Sequence, residues 1–260
     1  MSVEYLSFGA GPPSVALMIL NAWGEIQPKA ELIVFADTGS EKERTYDLLP
    51  EYESWASEMS MDWQTVYSKD GPLLEYITEK SFVIPVHTEN AIGHRQCTDK
   101  WKIEPIERYL HGRFGQKTPL IAQIAYHSGE AHRVRDPKVK RNKNRFPLIE
   151  KRLNRQQTID IIKLAGLTVP PWSACYFCPL QNDARWREVA SRSPEDFQKA
   201  VELDNFLRTK NEKGNRWLHW SRRPLGHIYS TAQTAFPFGD DGLLPDGGVI
   251  EECSDGNCHT

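Results

Sequence analysis

Cysteine thiols have the most distinctive spacing among the chemically active residues of this sequence. Cys175 and Cys178 form a CxxC pair in SACYFCPLQ, and Cys97 follows Arg95 by two residues in RQCTDKWKIEPIERYL, a run that alternates basic and apolar residues. The other two cysteines lie near the C-terminus, at Cys253 and Cys258. The N-terminal residues MSVEYLSFGAGPPSVALMIL lack the basic region of a signal peptide, so we expect a cytoplasmic protein with reduced thiols. In that setting cysteines indicate metal ligands or reactive thiols rather than disulfides.

A glycine-rich turn, SFGAGPPS at residues 7–14, follows the first apolar segment. Backbone N–H groups in such a turn, together with the partial positive charge of a following helix, can bind phosphate. The turn matches neither GxGxxG nor GxxxxGK[ST], so neither a dinucleotide site nor an ordinary P-loop is predicted. A tight connection between a strand and a helix, with no ligand, explains the same residues equally well.

Residues 133–145 read RVRDPKVKRNKNR, with seven basic residues and one acidic residue. Such a run either binds nucleic acid phosphates or forms a solvated loop, because clustered charges often face only water. The formal net charge of the chain is -3, so only this local cluster indicates a nucleic acid partner.

The composition is that of an ordinary globular protein, with 260 residues, 39% hydrophobic and 26% charged. A chain of this length can bury a sizeable core without disulfides. No apolar run reaches membrane-spanning length, so no membrane partner is expected.

Strands and helices alternate along the first half of the chain. VEYLSF precedes the helical stretch VALMILNAW, and AELIVFADTGS precedes a polar helix at residues 41–59. DWQTVYS and PLIAQIAYHS are further predicted strands, and GPLLEYITEK is a further predicted helix. The pattern predicts an α/β fold: a doubly wound, Rossmann-like parallel sheet with ligands at the carboxyl ends of its strands.

The second half of the chain is predicted to be helical. PLIEKRLNRQQTIDIIKLAG predicts one helix, capped by Asn154 or Thr158 and ended by Gly166, and NDARWREVASRSPEDFQKAVELDNFLRTK predicts two helices, the second capped by Ser193. We expect a nucleotide-binding domain at residues 1–165, with the CxxC loop, helices and cysteine-containing tail of residues 166–260 packed on the same core. Histidines without metal-ligand spacing are expected to be surface or satisfied core residues.

Four stretches occur in a characteristic order: LSFGAGPPSVAL, VFADTGSEKERTYDLL, RQCTDKWKIEPIERYL and SACYFCP. In combination they resemble the phosphoadenosine phosphosulfate (PAPS) reductase-like family, of phage and bacterial type, in the adenine nucleotide alpha-hydrolase superfamily. The resemblance covers roughly residues 4–180. It implies an enzyme with an adenine nucleotide, ATP or PAPS, as its co-substrate.

The resemblance also implies roles for individual residues. The nucleotide phosphate loop of the family matches Ser7, Gly9, Gly11 and Ser14. The motif that borders the adenosine pocket matches Asp37, Thr38 and Gly39. The residues that hold negatively charged substrate groups match Arg95, Lys100 and Lys102. Arg133, with its fork fixed by Glu130 in HSGEAHR, is expected to face the substrate phosphate. The other interpretation of this pair is an exposed ion pair.

The prolines Pro12 and Pro13 depart from the ATP-cleaving members of the superfamily, which carry Lys-Asp at this point. Proline supplies neither a cation for phosphate nor a backbone donor. The loop therefore resembles the PAPS reductases more closely, since they also lack the lysine.

In family members with an iron–sulfur cluster, a cysteine from a segment like CTDKWKIEPI lies close in space to a CxxC pair that comes later in the chain. The resemblance thus implies that Cys97, Cys175 and Cys178 hold a [4Fe–4S] cluster with one open iron. Zinc is the alternative metal, and structural zinc normally takes a fourth protein ligand. Candidates for a fourth ligand are Cys253, Cys258, His94 and His259. Without a metal, Cys97 would be a small core residue.

The C-terminal EECSDGNCHT partly resembles the Glu-Cys-Gly-X-His ending of PAPS reductases, whose cysteine attacks sulfur. Cys253 and Cys258 are therefore the candidate catalytic thiols. Ser254 replaces the glycine of that ending. Nearby acidic residues would raise the pKa of either thiol unless a cation opposes them.

Three functions account for these residues. The first is a sulfurtransferase that uses an adenine nucleotide and an iron–sulfur cluster to modify a nucleotide or nucleic acid, with a separate sulfur donor. The second is a thiol-dependent reductase of a phosphosulfate nucleotide, with a thiol reductant protein as its partner. The third is a non-enzymatic, zinc-containing module that binds nucleotide or nucleic acid. Sulfur transfer explains the thiols, the loop and the basic run together.

Overall fold

The computed structural model describes residues 2–210 and 216–229. These residues pack into two compact units. The first contains the residues up to Asp37 together with Arg44–Lys69 and Lys100–Ser173, and the second contains Thr38–Glu43, Asp70–Asp99 and the described residues from Ala174 onward. Each unit combines segments that are far apart in sequence. The domain boundary expected at residue 165 stays a prediction.

The first unit contains a five-stranded parallel sheet in the order β3-β2-β1-β4-β5. Its strands are β1 (Val3–Phe8), β2 (Leu32–Asp37), β3 (Asp62–Tyr67), β4 (Leu120–Ile124) and β5 (Lys143–Arg145). The chain runs outward from β1 to β3 on one side and from β4 to β5 on the other. The topological switch point therefore lies between β1 and β4. The predicted α/β fold with a doubly wound parallel sheet is confirmed.

Helices follow or connect these strands and continue into the second unit. In chain order they are α1 (Pro12–Ala22), α2 (Glu43–Glu58), α3 (Leu73–Glu79), α4 (Glu104–Phe114), α5 (Pro147–Glu150), α6 (Arg155–Leu164), α7 (Asp183–Arg192), α8 (Pro194–Thr209) and α9 (Leu225–Ile228). A π-helix at Asp99–Ile103 precedes α4, and a 3-10 helix at Ser128–Arg133 follows β4.

Both faces of the sheet are covered, which explains why β1 and β2 are almost continuously apolar. On one face, Phe8 and Phe35 belong to a buried cluster that includes residues of α1, α2 and α6. On the other face, Tyr5 and Val34 pack with residues of α4. Successive side chains along each strand point to opposite faces of the sheet, and they therefore contribute to two separate apolar layers.

The single helix predicted for residues 147–166 is wrong. The chain forms α5 and α6 with a break between them, and Arg152 in that break has a left-handed φ of 57°. Asn154 then caps α6, because its side chain accepts a hydrogen bond from the Gln157 amide at 2.9 Å. Asn154 was one of the two caps predicted from the sequence.

The second unit is a helical assembly around buried aromatic and aliphatic side chains, among them Phe177, Trp186 and Leu218. The two helices predicted before residue 210 are confirmed as α7 and α8, and Ser193 lies at the N-cap of α8. Asp204 of α8 is fully buried; its carboxylate accepts the amides of Leu218 (2.9 Å) and Leu225 (3.0 Å). This carboxylate thereby holds the segment after residue 216 against α8. Within the described residues, no helix combines the length and apolarity needed to span a membrane.

Candidate functional site

The turn after β1 lies at the switch point of the sheet. Ser7 pairs with Val34 of β2 and with Ile124 of β4, so the residues that follow it emerge at the shared carboxyl edge. Gly11 is the N-cap of α1, and Pro12 is the first residue of that helix. The fold therefore places the predicted phosphate loop where doubly wound proteins bind ligands.

The same turn has few backbone donors to offer a phosphate. Pro12 and Pro13 have no N–H group, and the Gly11 N–H donates to the Ser14 hydroxyl at 3.0 Å. The Ser14 hydroxyl in turn donates to the Gly11 carbonyl oxygen at 2.9 Å, and the Ser14 amide donates to that oxygen at 3.0 Å. The capping hydrogen bonds of α1 are thus made within the chain.

Ser173 packs against this turn, which the sequence did not indicate. A Cβ added to Gly11 would lie 3.2 Å from the Ser173 Cβ and 3.4 Å from its backbone nitrogen. A Cβ added to Gly9 would lie 3.8 Å from the Ser173 hydroxyl oxygen. Because Gly9 and Gly11 have no side chains, Ser173 can pack directly against the turn. Ala10 between them has a left-handed φ of 56°, a strained conformation that is concentrated at functional sites.

Asp37 ends β2 at the same edge of the sheet as the turn after β1. Its carboxylate accepts a hydrogen bond from the Tyr46 hydroxyl at 2.7 Å. The side chain is half-buried, so it is oriented by this bond while part of it stays accessible. A fixed carboxylate oxygen at a strand end can accept from a ribose or base donor.

Thr38 and Gly39 follow Asp37 in sequence and belong to the second unit. The Thr38 carbonyl accepts the Leu73 amide at 2.9 Å. Gly39 has a left-handed φ of 68°, and a Cβ there would lie 2.9 Å from the Cβ of Pro72. Both the conformation and the close packing require glycine at this position.

Arg133 lies after β4, on the other side of the switch point. Its guanidinium forms an ion pair with Glu130, which is only 3% exposed, and stacks over the Tyr126 ring at 4.4 Å. The backbone N–H of His127 also donates to Glu130, at 3.2 Å. The predicted Glu130–Arg133 pair is therefore not an exposed ion pair, because its carboxylate is buried and its guanidinium fork is held from two sides.

The other predicted substrate cations are distributed between the two units. Lys100 and Lys102 lie on the π-helix, in the part that belongs to the first unit, and both are half-buried. Arg95 belongs to the second unit and is also half-buried. Trp101, between the two lysines, is fully buried and anchors this helix.

The three thiols that the sequence singled out all belong to the second unit. Cys97, Cys175 and Cys178 are half-buried and not in disulfides. Cys175 and Cys178 share one turn, whereas the amide of Cys97 donates to the carbonyl oxygen of Val83 at 3.1 Å. Across residues 2–210 and 216–229, no three His, Cys, Asp or Glu side chains lie close enough together to hold one metal ion. The proposed [4Fe–4S] cluster or zinc at these three cysteines stays a prediction.

Lys42 is a buried charged residue that was not predicted from the sequence. It is 3% exposed, and neither its Nζ nor Glu188 Oε2 has a hydrogen-bond partner within the described residues. Burial lowers the pKa of Lys42, and the nearby carboxylate of Glu188 opposes that shift. No sequence signal marks Lys42, because a lysine in a polar loop normally indicates a surface position.

His219 is the centre of a second buried polar group. Its Nδ1 accepts the Ser221 amide at 3.2 Å, so the proton of a neutral ring lies on Nε2, which donates to Asp183 at 3.1 Å. The Tyr229 hydroxyl lies 3.1 Å from the same nitrogen. Burial lowers the pKa of His219, with Asp183 opposing the shift. This histidine is a satisfied core residue, as the sequence predicted.

Several arginines of the basic run are engaged in contacts within the chain. Arg145, on the edge strand β5, pairs with Glu4 (2.7 Å) and Glu150 (3.0 Å). Arg135 donates to the carbonyl oxygens of His132 and Val134. Lys140 and Lys143 are exposed, and nucleic acid binding by the basic run stays a prediction. The predicted catalytic thiols Cys253 and Cys258, and the alternative ligand His259, lie outside the described residues.

The comparisons with known proteins concern the fold. No protein-family model and no curated protein matches the sequence. Among solved structures, the chain is similar to phosphoadenylyl-sulfate (PAPS) reductase from Candida auris in a phosphate complex. That similarity has a TM-score of 0.43 with 14% sequence identity, over 65% of this chain and 76% of that chain.

Proposed function

We propose that this chain is an enzyme of sulfur chemistry that binds an adenine nucleotide at the carboxyl edge of the sheet in its first unit. The supporting observation is that three predicted site elements follow neighbouring strands: the glycine-rich turn follows β1, Asp37 ends β2, and the Arg133 cluster follows β4. Ligands of doubly wound sheets bind at this edge, at the switch point. Because one fold hosts many functions, the proposal rests on these residues.

Arg133 is the proposed phosphate-binding residue. Its guanidinium is planar and permanently charged, and Glu130 and Tyr126 restrict its orientation. Little side-chain entropy is then lost when two of its N–H groups bind one phosphate. Asp37, held by Tyr46, is proposed to accept from the sugar or the base of the same nucleotide.

Reduction of a phosphosulfate nucleotide fits the turn after β1 better than nucleotide cleavage does. Cleavage to release pyrophosphate requires cations or backbone donors around the leaving group. Pro12 and Pro13 supply neither, and Ser14 already bonds to Gly11. In reduction, a thiolate attacks the sulfur atom, the sulfur–oxygen bond to the nucleotide breaks, and adenosine 3′,5′-bisphosphate leaves. A second thiol then releases sulfite and forms a disulfide.

The attacking thiol is proposed to be Cys253 or Cys258, as the sequence predicts. The second thiol would come from a partner reductant. Truncation after Gly248 removes both candidates and is expected to abolish sulfite release while nucleotide binding is retained. Full sulfite release by the truncated chain would exclude both tail thiols.

Sulfur transfer with an iron–sulfur cluster is the second candidate, favoured by the presence of Cys97, Cys175 and Cys178 in one unit. A cluster would supply an open iron that binds sulfide or substrate. Iron and acid-labile sulfide measured on protein purified without oxygen test this candidate. About four irons per chain, lost in Cys97→Ala, would support it. Colourless, iron-free protein would exclude it.

Calorimetric titration with adenosine 3′,5′-bisphosphate, ATP and guanosine 3′,5′-bisphosphate tests the proposed function. We expect the adenine bisphosphate to bind, and Gly11→Ala to weaken it, because the added Cβ pushes against Ser173. Gly112→Ala is the matched control, since a Cβ there meets no atom within 4 Å. Failure of all adenine nucleotides to bind would overturn the proposal.

A further inference from the structure

The CxxC pair forms a tight turn. The amide of Cys178 donates to the carbonyl oxygen of Cys175 at 3.0 Å, which closes a four-residue turn with Tyr176 and Phe177 at its centre. Such a β-turn keeps the first and fourth Cα atoms within about 7 Å. Disulfides span Cα separations of about 4.4–6.8 Å. The two cysteines are thus near enough to be bridged with little movement of the backbone.

The centre of this turn is anchored in the interior of the second unit. Phe177 is fully buried and Tyr176 is 5% exposed, and their rings meet edge to face at a centroid distance of 4.9 Å. The Tyr176 amide donates to the Ser40 carbonyl oxygen at 3.2 Å, and the Gln181 side chain donates to the Tyr176 carbonyl oxygen at 3.1 Å. Because the turn is already ordered, closing a bridge costs little conformational entropy.

The thiols themselves face a different environment from the central aromatic rings. Cys175 and Cys178 are both half-buried, whereas the two rings are buried. The Thr38 hydroxyl oxygen lies 3.6 Å from Cys175 Sγ and 3.2 Å from Glu41 Oε1. The Thr38 hydroxyl donates its proton to Glu41, so Cys175 is the donor in its contact with Thr38, and this contact orients the thiol.

Cys97 does not share this arrangement. It belongs to the same unit, but its amide and that of Gln96 donate to Val83. No three metal-binding side chains are gathered in the described part of the chain. The turn therefore supplies two neighbouring thiols, the number that disulfide chemistry requires.

We propose that Cys175 and Cys178 form a redox-active dithiol that exchanges with small-molecule disulfides such as glutathione disulfide. One cysteine thiolate attacks the glutathione disulfide, forms a mixed disulfide and releases one glutathione thiolate. The other cysteine thiolate then attacks the protein sulfur, closes the Cys175–Cys178 disulfide and releases the second glutathione. The protein loses two protons and two electrons, and glutathione disulfide gains them. This activity does not depend on the proposed nucleotide site.

Thiol trapping in graded mixtures of reduced and oxidised glutathione tests the proposal. The reduced full chain is equilibrated without oxygen, quenched with acid, alkylated with a maleimide and mapped by peptide mass spectrometry. We expect a peptide linked between Cys175 and Cys178, lighter by two hydrogens, whose share increases as the mixture becomes more oxidising. Ser57→Ala, at an exposed position of α2, is the control and should keep this linkage in full.

Single substitutions identify the pair without requiring a stable disulfide. Cys175→Ser and Cys178→Ser should each carry one glutathione on the remaining cysteine, since the resolving thiol is missing. The proposal is overturned if both thiols stay alkylated in the most oxidising mixture, or if either bridges to Cys97 or to a tail cysteine. It is equally overturned if the purified chain holds stoichiometric iron or zinc that Cys175→Ser releases, because the thiols then serve a metal.

Discussion

The side chain of Ser14 and the backbone of Gly11 hold each other through two hydrogen bonds, one donated in each direction, at 2.9 Å and 3.0 Å. Both residues are buried, so water cannot replace either bond. The start of α1, at the predicted phosphate loop, is therefore closed by the chain itself.

Substitution of Ser14 by alanine leaves the buried Gly11 N–H without its acceptor. We expect the free energy of unfolding to fall by about 1–2 kcal/mol. Urea denaturation measures this change, with the exposed Ser57→Ala in α2 as the control, expected within about 0.5 kcal/mol of the parent. A Ser14→Ala chain as stable as the parent would contradict the structural role, and a loss of nucleotide affinity alone would make Ser14 a ligand-binding residue.

Gly39→Ala should destabilise the second unit for two reasons. Its φ of 68° disfavours a side chain, and the new Cβ would lie 2.9 Å from Pro72. Gly71→Ala separates the two effects, because its φ is 81° and a Cβ there meets no atom within 4 Å. We expect about 1 kcal/mol of destabilisation for Gly71→Ala and at least 1 kcal/mol more for Gly39→Ala. Equal thermal midpoints for the two variants would argue against the Pro72 contact.

Arg133→Lys keeps the charge and removes the guanidinium fork. If Arg133 binds phosphate in the proposed site, calorimetry should show at least a ~10-fold loss of adenosine 3′,5′-bisphosphate affinity, since a bidentate contact is replaced by a point charge. Arg135→Lys is the control, because that guanidinium bonds only to backbone carbonyl oxygens among its described hydrogen bonds. Unchanged affinity in Arg133→Lys would remove this residue from the site.

Acid should destabilise the second unit through His87 and His219. Burial lowers the pKa of each from 6.5, and the Arg222 charge lowers the pKa of His87 further. Below about pH 6.5 the unfolded chain therefore binds protons before the folded chain does, and the free energy of unfolding decreases as the pH falls. Urea midpoints at about pH 7.5 and 5.5 measure the slope.

Substitution of His219 by glutamine should reduce that slope, since one of the two titrating groups is removed. The exposed Ser57→Ala, which changes no titratable group, serves as the control and should leave the slope unchanged. Identical slopes for the parent and His219→Gln would show that His219 does not contribute to acid sensitivity.

Nucleic acid binding by the basic run requires its exposed lysines. Lys140→Glu combined with Lys143→Glu should weaken binding of a single-stranded oligonucleotide about 10-fold. The salt dependence of binding should also decrease, because fewer phosphate contacts form and fewer counterions are released. Lys29→Glu with Lys163→Glu makes the same charge change at exposed positions elsewhere in the first unit. If both pairs behave alike, the run is only a solvated segment.

The sequence alone was sufficient for the fold class and most of the elements. Apolar runs such as VEYLSF are long enough and bounded clearly enough to predict buried strands, and helical periodicity identified α1, α7 and α8. It did not reveal the break between α5 and α6, where Arg152 adopts a left-handed φ of 57° that its residue type disfavours. Such a conformation is imposed by packing rather than by local preference.

Residue type and spacing also indicated the chemically active residues, including the CxxC pair and the glycine-rich turn. Only the tertiary structure decided how they are engaged: Ser173 packs against Gly11, Glu130 holds Arg133, and Lys42 is buried near Glu188. These contacts join residues through packing and burial, and a buried lysine has the same local sequence as an exposed one. Spacing fixes which side chains share an element, whereas long-range packing fixes which of them meet and how much water remains between them.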